Sequence, residues 1–96
     1  MKMILIAYNE AIDEEVMEML KRNSAEGYTK WTKVLGNGSA GGPHLLTHVW
    51  PKANNVLAIC VEDEQSEAIL EGIRALRETV GREGVKAFVV PVEAIT

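Results

Sequence analysis

Between Glu26 and Glu62 the chain carries no carboxylate, although 14 of its 96 residues are acidic. The acid-free stretch holds Lys30, Lys33 and Lys52, both histidines (His44, His48) and both tryptophans (Trp31, Trp50). It also holds the run Gly36-Asn37-Gly38-Ser39-Ala40-Gly41-Gly42-Pro43. A segment free of negative charge suits an anion or a partner surface. Glycines at 36, 38, 41 and 42 let the backbone reach positive φ and turn several N–H groups toward one point, which is how loops cradle phosphate or carboxylate. The run does not follow the phosphate-loop pattern, because no lysine and hydroxyl pair comes after it at that motif's spacing. The competing reading is a loop that orders only against a partner.

His44 and His48 suggest a second chemistry. On a helix this spacing places both imidazoles on one face, within reach of a single divalent metal. In a strand the two would stand roughly 13 Å apart and could share nothing. Pro43 and Pro51 bracket a stretch short for a helix, so rings from neighbouring chains are the other way to complete such a site. Cys60 lies in an apolar run and reads as a small buried apolar group, and Trp31 and Trp50 each fit an interface or ligand pocket or the core, with core slightly favoured for Trp31. Thr79-Val80-Gly81-Arg82-Glu83-Gly84-Val85-Lys86 gathers two glycines, two cations and a hydroxyl beside a strand, a second place to close over an anion, or else a solvated connection. No serine, histidine and acid set stands in a recognisable order, so the chain is read as a non-enzyme.

A formal charge of −4 excludes the lysine- and arginine-rich track that nucleic-acid phosphates require. A lone cysteine offers no disulfide framework and points to a reduced, cytoplasmic setting. The apolar stretch Met3 to Tyr8 is far too short to cross a membrane. The length fits one domain, residues 1–96.

These residues must be positioned by regular elements, and the apolar pattern supplies them. Met3 to Tyr8 reads as a buried strand. Asp13 is placed to cap a helix whose face carries Val16, Met17 and Leu20, with Gly27 as its left-handed stop. Tyr28 to Leu35 alternates as a second strand, Asn55 to Val61 forms a third, and the glycine-rich connection of residues 36–54 lies between them. Asp63 opens a second helix with Ile69, Leu70, Ile73, Leu76 and Val80 at helical spacing, ended by Gly81 and Gly84. Val85 to Val92 is the last strand, with Pro91 toward an edge or strand end. The order βαββαβ predicts an α+β, ferredoxin-like sandwich: a four-stranded antiparallel sheet with two helices on one face. Yet three strands are apolar on both sides. Met3, Leu5 and Ala7 alternate with Ile4, Ile6 and Tyr8, and the third and fourth strands do the same. Two helices cover one face, so the other must be covered by further copies of the chain, a homo-oligomer.

With those elements in place the chain resembles the nitrogen-regulatory P-II signalling family and its smaller P-II-like relatives. The resemblance runs from the opening strand and helix through Gly27-Tyr28-Thr29, the loop after Gly36 and Gly38, and Val61-Glu62-Asp63-Glu64-Gln65. Its most specific stretch is Lys86-Ala87-Phe88-Val89-Val90-Pro91-Val92-Glu93. It implies a single P-II-like domain over residues 1–96, a homotrimer, and a cytoplasmic regulatory protein that signals without turning over substrate. It further implies a small effector such as ATP or ADP in the intersubunit cleft, held by Thr29, Gly36, Gly38, Thr79, Arg82 and Lys86. The 36–54 loop would contact a target protein such as a transporter or enzyme. Ser39 stands where the family's arginine is expected, Glu83 and Val85 stand where glycine is usual, and the sequence ends at Thr96 without the tail's arginines. These departures remove cationic phosphate partners. The loop also lacks the tyrosine that some members modify covalently. The related divalent-cation tolerance family shares the trimeric build and keeps metal binding through His44 and His48 as the alternative.

Overall fold

A computed structural model describes residues 1–36, 53–81 and 84–96. Strand β1 (Lys2–Asn9) leads through a 3-10 turn (Glu10–Ile12) into helix α1 (Asp13–Arg22) and strand β2 (Thr29–Val34). After the 37–52 segment come β3 (Asn54–Val61), helix α2 (Asp63–Val80) and β4 (Val85–Pro91). The strands form one sheet in the order β2-β3-β1-β4, and every pairing is antiparallel. This is the ferredoxin-like topology expected from the element order.

Alternation decides which residues enter the core. Ile4, Ile6 and Tyr8 of β1, Leu57, Ile59 and Val61 of β3, and Val85 of β4 face the helices and are buried. Val16, Met19 and Leu20 of α1 and Ile69 and Ile73 of α2 meet them. Met17 only flanks this cluster, and Met19 takes the inward position. The helices approach closely at Gly72, where a Cβ would lie 2.7 Å from Met19 Cγ and 2.9 Å from its Sδ. No residue of β2 belongs to the buried cluster.

Three helix-end expectations are corrected. Asp13 is the first residue of α1 and not its cap: Ile12 holds the cap position with no side-chain hydrogen bond. A fixed lysine and two neutral donors claim the Asp13 carboxylate instead. Likewise Glu62, not Asp63, precedes α2 in the cap position, while Asp63 and Glu64 sit in the first turn at the positive end of the helix dipole. Nor does Gly27 end α1. The left-handed position falls at Ser24 (φ 57°), where the Gln65 side chain donates to the carbonyls of Asn23 and Ser24, 2.9 Å each. Gly81 does end α2, as expected, and takes positive φ (93°) there, with its N–H donating to the Arg77 carbonyl at 2.9 Å.

Candidate functional site

Two surfaces carry the candidate chemistry, and strand register locates both. On the sheet face away from the helices, Trp31, Val56, Ala7 and Lys86 form one row across the four strands. Thr29, Ala58, Leu5 and Phe88 form the next, and Cys60, Met3 and Val90 continue across three strands. Apart from the edge residues Thr29 and Lys86, these rows are apolar. Trp31 is 50% exposed and Phe88 55%, and Cys60 is exposed as well. The expectation of a buried Trp31 and a buried Cys60 is therefore corrected for the single chain: both lie on the face that no helix covers.

Of the predicted effector residues, Thr29, Gly36 and Lys86 divide between the two edges of this face. Thr29 is exposed on the β2 edge. Gly36 follows β2 and lies against the start of β3, so closely that a Cβ there would come within 2.6 Å of Asn54 Nδ2. Lys86 is exposed at the β4 edge, its Nζ 6.0 Å from the Phe88 ring centroid. Thr79 is exposed in the last turn of α2. Gly38, Arg82, His44 and His48 lie outside the described residues. Across the sheet, β2 and β4 are three strand spacings apart, roughly 14 Å. A small anion cannot touch both edges of one protomer.

A polar cluster that sequence reasoning missed lies on the helix side at the same end of the sheet. Asp13 Oδ1 accepts from the Tyr8 hydroxyl, from Lys30 Nζ at 2.7 Å and from Asn55 Nδ2 at 3.2 Å. Tyr8 is 1% exposed and Asn55 5%. Burial alone would push the Asp13 carboxyl up, but the hydrogen bonds from Lys30 and Tyr8 and the Lys30 charge outweigh it and hold the group below the usual carboxylate range. Burial pushes the Tyr8 hydroxyl up, and its bond to Asp13 adds to the shift. One signal pointed here: a tyrosine ending a fully apolar strand must find a partner for its hydroxyl. Among the described residues no group of three or more His, Cys, Asp or Glu side chains is placed to hold a metal.

Sheet order, helix placement and the apolar face define a ferredoxin-like α+β protein with an uncovered sheet surface. A sequence model of the family described as nitrogen regulatory protein P-II matches residues 1–96. The chain belongs to that family, whose members are regulatory proteins. Among solved structures it is similar to CPII, a nitrogen regulatory PII-like protein from Thiomonas intermedia K12. In the form bound to ADP and bicarbonate, the identity is 26%, covering 93% of this chain and 82% of that one, with a TM-score of 0.72. The same protein bound to ADP, AMP and acetate matches at 24% identity over 92% of this chain and 81% of that one, TM-score 0.70. A PII-like signalling protein from Thermus thermophilus matches at 27% identity over 93% of this chain and 83% of that one, TM-score 0.61. No curated protein sequence matches the chain significantly. Among the described residues no helix is long and apolar enough to cross a membrane.

Proposed function

We propose that the protein is a cytoplasmic homotrimeric regulator, with residues 1–96 forming a single P-II-like domain. An adenine nucleotide such as ADP binds in its intersubunit cleft, and a target protein meets the 36–54 segment. The observation that carries this reading is the uncovered apolar sheet face. Its two edges bear Thr29 with Gly36 on one side and Lys86 on the other. Burying that face against other copies brings one protomer's edge toward its neighbour's, so groups too far apart within a chain can converge on one ligand. Gly36 and Gly38 present backbone donors to phosphate, Arg82, Lys86 and Thr79 supply cations and a hydroxyl, and Thr29 approaches the base. Support comes from family membership and from a PII-like protein of known structure that is bound to ADP. The effector works by shifting the conformations of the loop base, with no bond made or broken.

Isothermal titration calorimetry with ADP, AMP and ATP, on protein whose mass has been fixed by sedimentation, tests this reading. A saturable heat with ADP at one site per protomer of a trimer is the expected result. No heat with any of the three on a trimeric sample overturns the nucleotide assignment, and a single-chain mass at micromolar concentration overturns the cleft itself.

A further inference from the structure

Strand β2 is an edge strand whose inward face adds nothing to the hydrophobic core. Its residues are exposed except Lys30 and Val34, which are half-buried. Its ladder to β3 pairs Thr29, Lys30 and Trp31, then breaks register before Val34. Within the break Lys33 adopts a left-handed φ of 60°, a conformation that a non-glycine side chain holds only when its surroundings fix it. Some other interaction must therefore hold this strand where it leads into the 37–52 segment.

We propose that Asp13, with Tyr8, Lys30 and Asn55, is a polar clasp that fixes β2 to the rest of the fold and so sets the position of Gly36 and Thr29. Four elements meet at a single carboxylate oxygen: the end of β1 (Tyr8), the start of α1 (Asp13), β2 (Lys30) and β3 (Asn55). The neutral donors are nearly buried, and Lys30 is the one member that belongs to the edge strand. A second tie runs parallel to it, from Lys33 Nζ to Glu10 Oε2 at 3.2 Å, but both partners are well exposed and it is worth little by itself. The Lys30 side chain is more shielded than that of Lys33, and although the Asp13 carboxylate is about as exposed as that of Glu10, nearly buried tyrosine and asparagine donors hold the same oxygen and orient it toward the lysine. Charge-assisted bonds in such surroundings are the strong ones. Asn55 Oδ1 is buried with no partner among the described residues, so this asparagine serves the cluster through its donor end.

Asp13 and Lys30 act here as positioning residues, and their effect on effector binding rests on the function proposed above. Lys30→Met keeps the aliphatic stem and removes the charge, while Lys30→Arg restores a cation. The test measures amide hydrogen exchange and ADP affinity in full-length wild type, Lys30→Met and Lys30→Arg. In Lys30→Met, exchange at the Thr29 to Val34 amides should rise about tenfold or more, the effect of losing one charge-assisted hydrogen bond. Amides of α2 and of β1 should keep their protection, ADP should bind more weakly, and Lys30→Arg should recover both properties. Unchanged β2 exchange overturns the clasp, as does an equal acceleration throughout the molecule, which would report only global stability. A wild type that binds no ADP refutes the proposed function while the exchange data still decide the clasp.

Discussion

Phe88 offers the sharpest test of what covers the sheet. Its ring projects from β4 on the helix-free face and is 55% exposed in the single chain, so truncating it should leave the protomer's own core almost intact. Taking about 200 Å² for the side chain and about 25 cal/mol per Å² of apolar area, hiding its exposed half is worth roughly 2.5 kcal/mol per protomer. Three copies give roughly 7–8 kcal/mol, or about five to six decades in the association constant of a trimer. The concentration at which a trimer half-dissociates varies as the inverse square root of that constant, so Phe88→Ala should raise it by up to about 500-fold. Area converts to affinity incompletely, which makes this an upper figure. Sedimentation velocity across a dilution series reads the midpoint directly, and circular dichroism confirms that the protomer stays folded. A midpoint that moves less than about tenfold would refute the argument, because the ring would then still be wet in the assembly. Wild type that runs as a single chain at micromolar concentration would refute it more simply.

Three predictions concern the protomer. Tyr8 has its hydroxyl pKa raised in the fold, so its contribution is complete below the unfolded value near pH 10 and is lost as pH climbs from there toward the folded value, by up to about 1.4 kcal/mol per pH unit. Urea midpoints between pH 9 and 11 should therefore fall more steeply for wild type than for Tyr8→Phe, and parallel curves would refute the assignment. Asp13 has the opposite sign: its carboxyl is held below the usual range, so its stabilisation is present above about pH 4 and disappears as pH falls through the folded value. The stability difference between wild type and Asp13→Asn should shrink on acidification below about pH 4, and a constant difference would remove the carboxylate from the account. Gly72→Val should cost about 2 kcal/mol in urea denaturation by forcing a branched side chain against buried Met19. A neutral result would mean that the two helices separate without penalty.

How far the sequence alone reached depends on the kind of interaction. Strands β1, β3 and β4 were legible because each is a short apolar run, and the helices because Val16 and Leu20, or Ile69 and Ile73, recur at helical spacing. The alternation of Met3, Leu5 and Ala7 with Ile4, Ile6 and Tyr8 even showed that both faces of the sheet are apolar. Trp31 was misread because a strand pattern says which residues share a face but not whether that face is covered. Asp13 was misread for a different reason. Its position before an apolar period satisfies the capping rule, but its partners come from residues 17 and 42 positions away, and only the register of β2 on β3 brings them to one oxygen. The split of Thr29 and Gly36 from Lys86 was equally hidden, since it follows from strand order and not from spacing along the chain.

The apolar face bears directly on the proposed effector site. The cationic set suggested for phosphate is sparse, with Ser39 and Glu83 where stronger or smaller residues would serve an anion better. Such a site gains less from charge and must rely on geometry: backbone donors at the glycines, with Arg82 and Lys86 delivered to the right place. Geometry of that kind depends on rigid neighbours. In the proposed assembly, hydrophobic burial fixes the neighbouring β4 edge, and the Asp13 clasp fixes the β2 edge within each chain. The two devices divide the task by distance. Non-directional burial holds whole protomers together, whereas one oriented carboxylate sets the last few ångströms of the strand that leads to Gly36. An effector can then shift the loop base only by the difference in its affinity for the clasped and released arrangements, so weakening either device should reduce signalling before it abolishes folding.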